Sequence, residues 1–200
     1  MKKSIGVVAL LLVCLLMAGC GATKKQAASP KDALNEKLNR VVAMTKGTIT
    51  EKSTSSHPKF GTEGETFTLS YEKSGKNIWY EMESTSTDVK NKKSSVAYKN
   101  EKNGYYVREV GQKKYTKLSD CNNAGYDDIM EILMTPVLKD SKMTVGGSDN
   151  QFTATQKDEK KNGKYSFTYS FTGDGVKVHV SQLSTNGKIK LECDYEVKAK

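Results

Sequence analysis

Arginine, histidine and tryptophan are scarce: the 200 residues hold two arginines, Arg40 and Arg108, two histidines, His57 and His179, and one tryptophan, Trp79. A nucleic-acid surface clusters arginine and lysine with interleaved aromatics. Here the net charge of +9 comes from lysines scattered through turns and polar strand faces, which speaks to a solvated surface beside an anionic envelope. No nucleic-acid partner is expected. The two histidines lie in separate segments and supply neither a metal cluster nor a nucleophile-base pair. Gly-x-Ser-x-Gly, a phosphate-cradling glycine loop ahead of a helix and Cys-x-x-Cys are also missing. Asp127 and Asp128 are the nearest approach to paired carboxylates, and a place at the positive end of a helix explains them more simply. The chain therefore reads as a protein without enzymatic activity, metal or cofactor.

Charge is missing altogether between Lys3 and Lys24. Lys2 and Lys3 precede a compact apolar run from Ile5 to Ala18, the plan of a secretory signal. The uncharged stretch approaches the roughly 20 residues needed to span a bilayer, but its strongly apolar part is shorter and gives way to small residues and Lys24-Lys25. The run closes on Leu16-Met17-Ala18-Gly19-Cys20, which resembles the lipobox of bacterial lipoproteins, with Met17 where leucine is usual. The resemblance implies that a diacylglycerol joins the Cys20 thiol, that cleavage falls between Gly19 and Cys20, and that the chain is held at the extracytoplasmic face of a membrane. Residues 1–19 are then the signal, 20–29 a lipidated tether and 30–200 a single domain. Without Lys2 and Lys3 the chain carries 30 basic and 23 acidic residues, a net charge of +7.

Four cysteines are present. Cys14 leaves with the signal and Cys20 takes the lipid, so Cys121 and Cys193 remain. In an oxidising compartment they make one disulfide arithmetically available; two separate, buried thiols are an equal reading.

Ser29-Pro30-Lys31-Asp32 has the form of a helix start, with Ser29 as N-cap and Pro30 at the first helical position. Leu34, Leu38, Val41 and Val42 recur at helical spacing, so an amphipathic helix is predicted over 30–45. Beyond Gly47 the period changes to two. Phe67, Leu69 and Tyr71, then Ile78, Tyr80 and Met82, then Val96 and Tyr98 alternate with polar residues as half-buried strands do. Ser74-Gly75, Asn103-Gly104 and Gly111-Gln112 separate them as hairpin turns. Tyr126, Ile129, Ile132 or Leu133, and Val137 return to helical spacing, predicting a second helix over about 126–134, with a further turn open beyond it, and Pro136 interrupting the far end. Period two then resumes through Tyr165 to Phe171, Val176 to Val180 and Ile189 to Val197.

Strands apolar on one side need a cover on that side only. The expected fold is α+β: a curved antiparallel sheet of about ten strands, an open half-barrel, with two principal helices over its concave face. This order of helix, meander, inserted helix (Asp127-Asp128-Ile129-Met130-Glu131-Ile132-Leu133) and meander resembles the LolA/LolB-like lipoprotein carriers and the LppX-like lipid-binding lipoproteins. That resemblance implies an acyl chain or other apolar ligand between helices and sheet. The candidate lining is Phe67, Leu69, Tyr71, Ile78, Tyr80, Met82, Ile129, Met130 and Leu133, although methionines such as Met82 and Met130 also serve as ordinary core fillers. The second functional reading is a surface module that docks an envelope protein or polymer through polar strand faces, with Trp79 opposite Ile78 and Tyr80.

Overall fold

The computed structural model describes residues 28–75, 77–101, 104–109, 111–118, 126–158, 163–184 and 189–200. Helix α1 (Pro30–Val42) begins as its sequence dictates, with the Ser29 side chain accepting from the Asp32 backbone N–H at 3.2 Å. Its last residue is Val42, three residues short of the expected limit, with Ala43 as the C-cap, because strand β1 already starts at Lys46. Helix α2 spans Tyr126–Met134, and Pro136 lies in the 3-10 turn Thr135–Val137 that follows.

The strands are β1 (Lys46–His57), β2 (Gly61–Ser74), β3 (Asn77–Thr87), β4 (Lys93–Glu101), β5 (Gly104–Glu109), β6 (Thr116–Leu118), β7 (Thr144–Ser148), β8 (Gln151–Asp158), β9 (Gly163–Thr172), β10 (Gly175–Leu183) and β11 (Lys190–Ala199). They form one antiparallel sheet of eleven strands in the order 6-5-4-3-2-1-11-10-9-8-7, one strand more than expected. The chain runs outward from β1 to β6, crosses through α2 to the opposite edge at β7, and returns to close β11 against β1. Gly47 to Ser56 of β1 face Ala199 to Lys190 of β11 in that central pair. Strands β6 and β7 are unpaired edges, so the sheet stays open. Turn chemistry matches the sequence: Gly75 and Gly111 adopt φ of 60° and 97°, a region that only glycine enters without steric cost.

Both wings feed one core. Tyr105 of β5 and Phe152 of β8 lie in the same buried cluster as Leu34, Leu38 and Val41 of α1 and Ile129, Met130 and Leu133 of α2. A flat sheet of this width would hold its wings apart, so the shared core requires the curvature of a half-barrel. Two buried polar contacts fasten the cover. The Tyr169 hydroxyl donates to the Leu133 carbonyl at 2.8 Å, satisfying an acceptor at the end of α2. The Lys73 ammonium, half-buried, donates to the Val42 carbonyl at 2.6 Å and to the Tyr126 hydroxyl at 3.1 Å. A cation at the carbonyl end of α1 is favoured by the helix dipole, and the same group ties β2 to the start of α2.

Candidate functional site

The concave face divides along the strands. Near the helices its inward residues are apolar and closed: Ile49, Leu69, Phe167, Tyr169, Val178 and Val197 are all at most 2 % exposed. Moving toward the far end, the register brings polar pairs inward. Glu51 faces Phe67 and Tyr195, Ser53 faces Glu65 and Cys193, and Ser55 faces Glu63 and Leu191; Ser84 pairs with Phe67 and Ser86 with Glu65 across β2 and β3.

This far half is an open trough of about 530 Å³, bounded by Ser53, Ser55, Glu63, Glu65, Ser86, Ser94 and Leu191, with Thr87, Asp88 and Lys92 at its lip. Its size falls within the roughly 300–1,000 Å³ of small-molecule sites. Long, polar β-strands make it: β1 carries one large apolar residue, Ile49, in twelve positions, so its inward face changes from core to trough after that residue.

At the boundary between core and trough lies a group of titratable side chains. Burial raises the Glu51 carboxyl above its ordinary value of 4.5, and repulsion from Glu65 adds to the effect; hydrogen bonds from Ser53 and Tyr195 oppose it. The Ser84 hydroxyl donates to Glu65. In its thiol form Cys193 is pushed up to about 11, first by burial and then by the nearby Glu51 charge, while a hydrogen bond with Tyr195 pulls the other way. Such a thiol is protonated near neutrality and is a poor nucleophile. Burial likewise raises the Tyr165 and Tyr195 hydroxyls.

The Glu51 environment has a measurable consequence. A carboxyl whose pKa is raised on folding binds more protons in the native state, so its contribution to stability falls as pH rises from the ordinary value through the raised one. Glu51→Gln should therefore gain stability relative to the parent at pH 7, and the gain should vanish near pH 4. Thermal melting of the two proteins at both pH values checks this; equal differences at the two pH values would contradict it.

The expected lining residues come together, but as core. Leu69, Tyr71, Tyr80, Ile129, Met130 and Leu133 are buried to 6 % exposure or less, and Phe67, Ile78 and Met82 pack against them half-buried. Those six positions are closed to solvent, where the sequence suggested a ligand between helices and sheet: the apolar stripes of the two amphipathic helices meet the curved sheet there. Open volume lies farther along the same face. Trp79 is on the opposite, convex face, half-buried rather than exposed, in a shallow cleft with Lys46, Glu72, Glu81 and Lys200. His179 pairs with Asp194 at 2.8 Å on strands β10 and β11. Gly19, Cys20 and Cys121 lie outside the described residues, and with them the lipid attachment and the Cys121–Cys193 bridge; Cys193 is buried on β11. Sequence reasoning missed Ser53, Ser55, Glu63, Glu65, Ser86 and Ser94, whose only signal was a run of strand-forming residues polar on both faces.

Fold and trough together define an open, half-barrel-like antiparallel sheet with one accessible concave end. No family model matches the chain, and no curated protein does. Among solved structures it is similar to an S-type phycobiliprotein lyase from Guillardia theta, at 8 % identity, with 84 % of this chain and 93 % of that chain covered and a TM-score of 0.34. At that level the likeness bears on neither ligand nor activity.

Proposed function

We propose that the protein is a lipid-anchored module on the extracytoplasmic face of a membrane, held through Cys20, that receives an amphipathic, lipid-like ligand in its trough. The observation that carries this reading is the open space of about 530 Å³ on a concave face whose other half is closed to solvent. Leu191 offers apolar surface in the trough wall, where each buried methylene of a ligand contributes about 0.8 kcal/mol. Serine hydroxyls and the carboxylates of Glu63 and Glu65 suit a head group that donates hydrogen bonds, such as a polyol or an ammonium. The tether from Gly21 to Ala28, at about 3.3 Å per residue, keeps the domain within roughly 25 Å of the lipid.

Ser55→Trp tests the reading directly. The indole would occupy the trough without disturbing the ladder, because tryptophan is well tolerated in strands. Native mass spectrometry of the full chain purified from membranes should find a non-covalent amphiphile on the parent protein and none on the variant, with unchanged far-ultraviolet circular dichroism. An empty parent protein, or one carrying a stoichiometric protein instead, would replace ligand binding with the docking-module reading.

A further inference from the structure

Of the five large apolar side chains exposed among the described residues, four sit on three hairpin tips at one end of the sheet: Phe60 (70 % exposed), Val89 (41 %), Leu183 (37 %) and Ile189 (42 %). The fifth, Leu138, follows the 3-10 turn and is elsewhere in the fold. Antiparallel pairing makes the three tips neighbours. The β1–β2 tip adjoins the β3–β4 tip, where a side chain at Gly61 would come within 3.6 Å of the Val89 Cβ atom. On its other side Ser56, the last residue of β1 but one, pairs with Lys190 at the start of β11. Exposed leucines scattered singly are ordinary on any surface; four gathered on adjacent tips form a patch.

Each tip is built to present its apolar residue. The His57 and Phe60 rings stack at 4.5 Å, and the Lys59 backbone N–H donates to His57 Nδ1 at 3.1 Å. In the β3–β4 turn Asp88 Oδ1 accepts from the backbone N–H groups of Lys90 and Lys92 at 2.9 and 2.8 Å, and Asn91 takes a positive φ of 59°. Between β10 and β11 the Ser184 hydroxyl accepts from the Ile189 N–H at 3.0 Å. Around these apolar points stand Lys59, Lys90, Lys92 and Lys93, all exposed and none in an ion pair. Lys190 is balanced by Glu192 at 2.6 Å, and the Asp88 carboxylate is engaged by its own turn. The trough opens between the same tips, with Asp88, Lys92 and Leu191 in its wall.

We infer that this rim docks onto an anionic lipid surface, Phe60, Val89, Leu183 and Ile189 entering the interface while Lys59, Lys90, Lys92 and Lys93 meet the head groups. Apolar tips flanked by lysine satisfy both requirements of interfacial binding, buried apolar area and attraction to negative lipid. Docking in this orientation turns the trough mouth toward the membrane, and it holds whether or not the trough is occupied.

The test uses the full chain in vesicles, with Phe60→Trp in a Trp79→Phe background so that fluorescence reports the rim alone. In vesicles containing phosphatidylglycerol the rim indole should shift to shorter wavelength and be quenched by brominated acyl chains. Removing lysines should lower the ratio of docked to undocked protein by about five-fold each, the fold-change that corresponds to the ~1 kcal/mol a basic residue gains near such a surface. Lys59→Gln, Lys90→Gln and Lys92→Gln combined should then abolish quenching while leaving the melting temperature unchanged. Absence of quenching in anionic vesicles would overturn the inference. So would equal quenching in purely zwitterionic vesicles, which would assign the contact to the anchor, and so would burial of the indole only by a co-purifying protein.

Discussion

Phe167→Ala should lower the unfolding free energy by about 3–5 kcal/mol, the usual cost of emptying a large aromatic site. Phe167 is 0 % exposed. It lies between Tyr165, 4.8 Å away edge-to-face, and Tyr169, stacked at 6.0 Å, and pairs across the sheet with Ala154 and Val180. Few side chains could relax into the space, because the ladder fixes the backbone on both sides. Against a total stability of roughly 5–15 kcal/mol for an ordinary domain, the variant would be close to unfolding at physiological temperature. Urea denaturation measures the loss, with exposed Leu183→Ala as a control expected to change stability by less than about 0.5 kcal/mol. A companion substitution, Leu133→Trp, tests the same region from the helix side. In a filled core it should cost about 1–3 kcal/mol through overpacking; a neutral or stabilising result would mean that a cavity exists between α2 and the sheet, and the apolar-pocket expectation would stand after all.

On the proposed lipidation of Cys20, Cys20→Ser should abolish membrane anchoring. Without the thiol no thioether to diacylglycerol can form, and the peptidase that requires a lipidated substrate has nothing to cleave. Mass spectrometry of membranes from a bacterial host should then show a precursor that retains residues 1–19 and lacks lipid, where the parent protein begins at a lipidated Cys20. The alternative, a spanning helix in the uncharged stretch, predicts the same unlipidated, uncleaved mass for both proteins and no change on substitution. Discrimination is complete because the two readings differ in covalent structure as well as in location.

These two experiments address the parts of the molecule with the strongest local signals. Helix α1 was legible because its start depends on neighbours in sequence: Ser29 caps the Asp32 N–H and Pro30 needs no donor. Helix α2 was legible from Tyr126, Ile129 and Leu133, with boundaries matching at both ends. The hairpins β2–β3 and β9–β10 announced themselves by alternation, and Gly75 took the positive φ its turn requires. Strand β1 gave almost no signal, since Lys46–His57 holds one large apolar residue. Strand β7 was equally silent: two of its five residues are glycine. Both exist because neighbouring strands supply hydrogen-bonding partners, β2 and β11 on the two sides of β1 and β8 on one side of β7, a tertiary effect that overrides weak local preference.

The site followed the same division. Periodicity identified the inward apolar residues correctly as a set, since Leu69, Tyr71, Tyr80, Ile129, Met130 and Leu133 do converge. Convergence is compatible with a filled core or a lined cavity, and only the curvature of the sheet and the seating of the helices decided that these six are closed to solvent. The trough is formed by Ser53, Ser55, Glu63, Glu65, Ser86 and Ser94, residues that carry no contrast with their outward neighbours and so no periodic mark of a face. Phe60, Val89, Leu183 and Ile189 lie far apart in the chain, on turns where isolated apolar residues are unremarkable, until strand pairing sets their tips side by side. By itself, then, the sequence determined what depends on adjacent residues: the helix caps, the turns, the alternation of most strands and the expectation of a lipidated Cys20. Tertiary structure alone decided which polar residues enclose a space and which apolar ones share a rim, because register and curvature arise from pairing between segments that no local pattern encodes.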